Sequence, residues 1–155
     1  MKRSVLIASL MLGGALLSSA GLWTEDFNQA LAQAKETGKY VLVDFSGSDW
    51  CGWCKRLDKE VFGQKEFQDY AAQNLLCVLI DFPRQKPQSK EQKEANQALA
   101  DKYAVQGFPT ILLFSPQGDV AATTGYEPGG AEAYVKHLQG LIDQHKAKPL
   151  SSSLQ

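Results

Sequence analysis

Hydrophobic positions mark out the chain's elements before any single residue draws notice. Phe27, Ala30, Leu31 and Ala34 fall at helical spacing, and Gly38 stands where such a helix would stop, so an amphipathic helix is predicted over 24–37. The run KYVLVDF (39–45) is short, β-branched and bounded by glycines, which suits a strand buried on both faces, although it carries the acid Asp44. KRLDKEVF (55–62) returns to helical spacing through Leu57, Val61 and Phe62, and EFQDYAAQN (66–74) extends or restarts that helix. LLCVLIDF (75–82) predicts a second buried strand. A polar stretch with two prolines, Pro83 to Glu94, then predicts an exposed excursion, whose tail merges into a helix over 89–103 with Ala95, Leu99 and Tyr103 at intervals of four. FPTILLF (108–114) and VAATTGY (120–126), joined by the turn SPQGD, predict a hairpin, and 130–146 a closing amphipathic helix through Tyr134, Leu138, Leu141 and Ile142. The order is that of an α/β domain whose mixed sheet is covered on both faces.

The first twenty residues follow a different pattern. MKR is a positive start, Val5 to Leu17 is apolar but shorter than a bilayer span, and SSA ends in small residues, which is the layout of a signal peptide over 1–20 cut before Gly21. Retention of that segment as an uncleaved anchor is the alternative. What remains is one domain-sized stretch, 21–148, with a tail at 149–155 expected to fray. At 155 residues, 44% hydrophobic and 21% charged, the composition is that of a single globular domain. A formal net charge of −1, more negative still without Lys2 and Arg3, offers no cationic field for nucleic acid. Export, to the periplasm in a bacterium, means an oxidising compartment, but three cysteines are an odd number and not a disulfide framework.

Chemistry concentrates in SDWCGWCKRL (48–57), where Cys51 and Cys54 are each preceded by a tryptophan, Trp50 and Trp53. Such a pair can bind metal, attach haem, staple the fold or exchange disulfides. Zinc wants four ligands, and the only histidines, His137 and His145, lie far along the last helix with no second cysteine pair. Haem attachment wants histidine where Lys55 stands. A disulfide across two residues closes too small a loop to stabilise much. Neither metal nor cofactor is therefore expected. Redox exchange fits better, because a strand feeding a helix puts Cys51 at the helix start, where unpaired N–H groups favour a thiolate. Cys54, one turn later, can then resolve a mixed disulfide.

VLVDFSGSDWCGWCK resembles the active-site strand, loop and helix of the thioredoxin superfamily, and VQGFPTILLF resembles its cis-proline segment, in the right order along the chain. The similarity extends to exported bacterial members with an excursion before that proline, in outline the periplasmic reducing domains of disulfide-interchange systems. The resemblance implies a thioredoxin fold, with Cys51 as nucleophile, Cys54 as resolving thiol and Pro109 as the cis-proline. Trp50, Trp53, Phe108 and Pro109 would then meet the substrate, and Asp44 would be the buried acid that moves the proton of Cys54. Two departures stand out. The Ser46–Asp49 link is one residue longer than usual, which could offset Asp44 and makes Asp49 an exposed competitor, and the cysteines enclose Gly-Trp. With no cationic residue between them, reductase is favoured over oxidase. Cys77 is expected to be a buried inert thiol near Asp44, and both histidines to lie on the solvated side of the last helix. The function so implied is an exported, monomeric thiol–disulfide oxidoreductase acting on protein disulfides and recharged by a membrane-bound electron donor. A binding module or redox sensor on the same scaffold is the alternative.

Overall fold

Strands β1 (Trp23–Thr24), β2 (Tyr40–Ser46), β3 (Leu75–Asp81), β4 (Thr110–Phe114) and β5 (Val120–Thr124) form one sheet in the order β1-β3-β2-β4-β5 in the computed structural model, which describes residues 21–148. The expected leader at 1–20 and the tail at 149–155, expected to fray, lie outside those residues. β1, β3 and β2 run parallel, whereas β4 is antiparallel to both β2 and β5, so the sheet is mixed as the pattern predicts. Every residue of β2 is buried, because that strand is central and helices cover both its faces.

On one face, α1 (Phe27–Thr37) and α4 (Lys90–Lys102) pack Phe27, Ala30, Ala34 and Ala100 against Val41, Val43, Phe45, Val78 and Phe114. The other face carries α2 (Gly52–Leu57), α3 (Lys65–Asn74) and α5 (Gly130–Ala147), which bring Leu57, Phe67, Tyr134 and Leu138 onto Leu42, Cys77, Ile111 and Leu113. Alternation along β2 thus sends even-numbered side chains to one core and odd-numbered ones to the other. Each fully buried Leu, Val or Phe contributes about 1.5–3 kcal/mol by leaving water. Caps agree with the sequence: Asp26 accepts the Gln29 N–H at the start of α1, and Gly38, with φ of 72°, ends it in the left-handed conformation.

Three local features depart from the sequence pattern. β1 is only two residues long, too short for any periodicity to reveal. The helix after the cysteines restarts at α3, but through a link that no spacing predicts: α2 passes into a π-helical turn, Asp58–Phe62, which closes with the Gly63 N–H on the Asp58 carbonyl at 2.7 Å before α3 begins. β4 starts at Thr110, leaving Phe108 and Pro109 as the approach to the sheet and not as part of it. The peptide bond between them is cis.

Candidate active site

The end of β2, the loop beyond it and the start of α2 build the site. Gly47 begins a tight turn in which its carbonyl accepts the Trp50 N–H at 3.1 Å and the Cys51 N–H at 2.8 Å. A Cβ at Gly47 would lie 2.5 Å from Trp50 Cε2, so the indole seats only against glycine. Cys51 is the N-cap residue of α2, and its sulfur accepts the Cys54 N–H at 3.2 Å. The two cysteines are disulfide-bonded, with Cα atoms 5.3 Å apart.

Exposure does not separate the two sulfurs, since Cys51 and Cys54 are 7% and 5% exposed. Their neighbours do. Cys51 Sγ lies 3.6 Å from the Phe108 carbonyl oxygen, on the side of the approach to β4. Cys54 instead opens onto a cleft of about 310 Å³ that it lines with Asp44, Ser48, Lys55, Asp58 and Lys86. Asp44 is 7% exposed, and its Oδ1 has no hydrogen-bond partner among the described residues. Burial, reinforced by the negative charges of Asp58 and Asp81, pushes its carboxyl up to about 7. Asp44 and Cys54 thus line the same cleft.

Asp49 has a different job from the one its exposure suggested. Its carboxylate accepts the N–H groups of Arg84, Gln85 and Lys86 at 3.0, 2.7 and 2.9 Å. Those bonds, the Arg84 N–H foremost, hold it at about 2, far too weak a base to take a thiol proton near neutrality. It pins the excursion to the active-site loop. Two further contacts do the same: Trp50 Nε1 donates to the Phe82 carbonyl at 2.8 Å, and Ser48 donates its N–H and Oγ to Asp81 at 2.9 and 2.6 Å. Asp81, a buried acid at the end of β3, is a site residue that the sequence signals only by the same setting as Asp44, an acid in an apolar run.

Trp50 packs edge-on to Phe108 at 6.0 Å, and Phe108 stacks on Phe82 at 4.9 Å. Trp53 is 55% exposed and leans on Tyr126 at 5.2 Å, with Arg56 over both rings. Arg56 and the Tyr126 hydroxyl both bond to Glu60. This group joins α2, the π turn and the loop after β5, which no local pattern could show. Of the residues expected to meet substrate, Trp50 and Trp53 directly precede the two cysteines and Phe108 brings its carbonyl to Cys51, with Pro109 next to it across the cis bond.

Cys77 is buried as expected, its thiol pushed up to about 12 by burial. It is not the neighbour of Asp44, however: register pairs Cys77 with Leu42 and sets Leu79 beside Asp44. The histidines also differ from expectation. Both are half-buried, His137 Nε2 bonding Thr124 Oγ1 and His145 Nδ1 bonding the Tyr40 hydroxyl, each at 2.9 Å. Their polar ends dock on strand hydroxyls, a contact that hydrophobic spacing does not register.

A thioredoxin-like domain family model matches residues 27–139. The chain is 35% identical over 126 residues to the disulfide bond reductase DsbH of Chlamydia pneumoniae, across 81% of this chain and 76% of that protein. It is 29% identical over 144 residues to the thioredoxin-related protein DsbJ of the same organism, but spans only 41% of that longer protein. A solved DsbH oxidoreductase superposes with a TM-score of 0.74 at 32% identity, covering 92% of this chain and 95% of that one. The reduced C-terminal domain of Neisseria meningitidis DsbD, at 21% identity and a TM-score of 0.56, shares the fold over 72% of this chain and 89% of its own. A cysteine pair at disulfide distance on this scaffold, with relatives named for disulfide chemistry, places the chain in the thioredoxin-like domain family as a thiol–disulfide oxidoreductase.

Proposed function

We propose that the protein is an exported reductase of protein disulfides, with Cys51 as nucleophile, Cys54 as resolving thiol and Asp44 as proton acceptor. The observation that carries this reading is the asymmetry of the pair: Cys51 faces the Phe108 carbonyl, while Cys54 faces the cleft that holds Asp44. In the reduced protein the Cys51 thiolate attacks one sulfur of a substrate disulfide, joining it to Cys51 and expelling the other sulfur as a thiolate. Asp44 takes the proton of Cys54, whose thiolate attacks Cys51 Sγ and releases the second substrate sulfur. Two electrons pass to the substrate, and the Cys51–Cys54 disulfide forms.

The start of the helical run from Gly52 to Phe62 stabilises the Cys51 thiolate through the Cys54 N–H. Trp50, Trp53, Phe108 and Pro109 form the surface against which an extended substrate segment lies. Export rests on the leader-like pattern of residues 1–20; among the described residues no helix is long and apolar enough to cross a membrane. A reductase in an oxidising compartment must be recharged, which calls for a dithiol donor, at the membrane in this reading.

Equilibration of the Cys51–Cys54 couple with glutathione tests the direction. A potential at or below about −200 mV, towards the thioredoxin value of about −270 mV, is expected. A value near −120 mV, that of a strong oxidant, would overturn the reductase reading.

A further inference from the structure

Beyond residue 20 the sequence contains two arginines, Arg56 and Arg84, and both lie on tryptophans that precede the reactive cysteines. Arg56 is 5.4 Å from the Trp53 ring centroid, and its charge is met by Glu60 at 2.8 Å. Arg84 is closer, 3.8 Å above the Trp50 ring, and no carboxylate among the described residues forms an ion pair with it. Stacking covers one face of a guanidinium but leaves its in-plane N–H donors open, the geometry that accepts a carboxylate through two parallel bonds.

The setting also fixes Arg84 in place. Asp49 holds the backbone of Arg84, Gln85 and Lys86, so its oxygens are engaged by N–H groups of the main chain. Trp50 is tied by its own N–H to Phe82 and packs on Phe108, whose carbonyl is 3.6 Å from Cys51 Sγ. The Lys86 ammonium donates to Ser48 Oγ at 3.0 Å and lines the cleft onto which Cys54 opens, which leaves Arg84 as the cation on Trp50.

We propose that Arg84, held on Trp50, is a specificity-determining residue that reads a carboxylate beside the partner's cysteine, so that the favoured substrate is an acidic segment flanking a disulfide. This rests on the reductase reading above. The chain as a whole has a net charge of −1, which would by itself favour a basic substrate. A preference for an acidic one must therefore arise locally.

The test uses two peptides that differ only in having aspartates or lysines around one cysteine, each capped as a mixed disulfide with neutral mercaptoethanol. Rates of reduction by the pre-reduced protein are compared, with the neutral hydroxyethyl disulfide as reference. The acidic peptide is expected to react about threefold to tenfold faster at low salt, with the ratio falling towards unity as salt rises. Arg84→Glu should reverse the ratio, while Arg56→Gln should retain it. An unchanged ratio in Arg84→Glu, a ratio lost in Arg56→Gln, or no acidic preference in the wild type would overturn the assignment to Arg84 while leaving the reductase reading intact. Failure to reduce even hydroxyethyl disulfide would instead overturn that reading, and this proposal with it.

Discussion

Cys51→Ser is expected to lose roughly 10³-fold or more of the disulfide-reducing activity, because a hydroxyl is almost wholly protonated at neutral pH and cannot replace the attacking thiolate. The loss should be chemical and not structural. The variant and the reduced wild type both lack the Cys51–Cys54 bond and differ by one sulfur-to-oxygen exchange, so their denaturation midpoints should lie close together. Single-turnover reduction of a protein disulfide, with an equilibrium denaturation curve on the same sample, checks both halves. Retained activity in Cys51→Ser would mean that Cys54 can attack unaided, and would remove the distinction drawn from the Phe108 carbonyl and the Asp44 cleft.

Asp44→Asn is expected to make the protein more stable and slower at once. The carboxyl has an ordinary value of 3.8 and is pushed to about 7 in the fold, first by burial and then by Asp58 and Asp81. Between those values the folded state binds more protons than the unfolded chain, so stability falls as pH rises from about 4 through 7, and the full cost is present above 7. Removing the charge should therefore stabilise the oxidised protein by about 2–4 kcal/mol at alkaline pH, with the gain shrinking towards pH 4. The resolving step changes in the opposite sense. Above pH 7 the ionised carboxylate can take the Cys54 proton, and its loss should slow release of the mixed disulfide by about 10- to 100-fold. Below about pH 6 wild type and variant should converge, because Asp44 is then protonated. Denaturation curves and single-turnover rates across pH 5 to 9, an interval chosen to bracket that carboxyl, read the two effects separately. A variant destabilised at alkaline pH would contradict the account of Asp44 as a buried, uncompensated acid.

Local signals carried well from sequence to structure, and long-range polar contacts did not. The β2 strand, the Cys51 helix start and the closing helix were legible because each is written in a few consecutive residues: an apolar run, an N-cap, a repeat of three and four. Asp44 was legible as an acid inside an apolar run. Asp49 reads in the sequence as a competitor of Asp44, because nothing local says that three N–H groups from Arg84 to Lys86 fold back onto it. The bonds of Ser48 to Asp81 are silent in the sequence for the same reason, joining the loop after β2 to the end of β3 across 33 residues of chain. The resemblance implies Cys77 near Asp44, and the pairing register sets it opposite Leu42, two residues along β3 from Leu79, the partner of Asp44. The sequence did hold one unused signal: arginine is scarce beyond the leader, and both examples lie on the tryptophans of the site.

Trapping with Cys54→Ser addresses the central claim, that Cys51 attacks and Cys54 resolves, most directly. When the reduced variant is mixed with an oxidised protein substrate and quenched with acid, a covalent adduct should accumulate that dithiothreitol releases, with mass spectrometry locating the linkage at Cys51. Absence of any adduct, or a linkage through Cys77, would contradict the account.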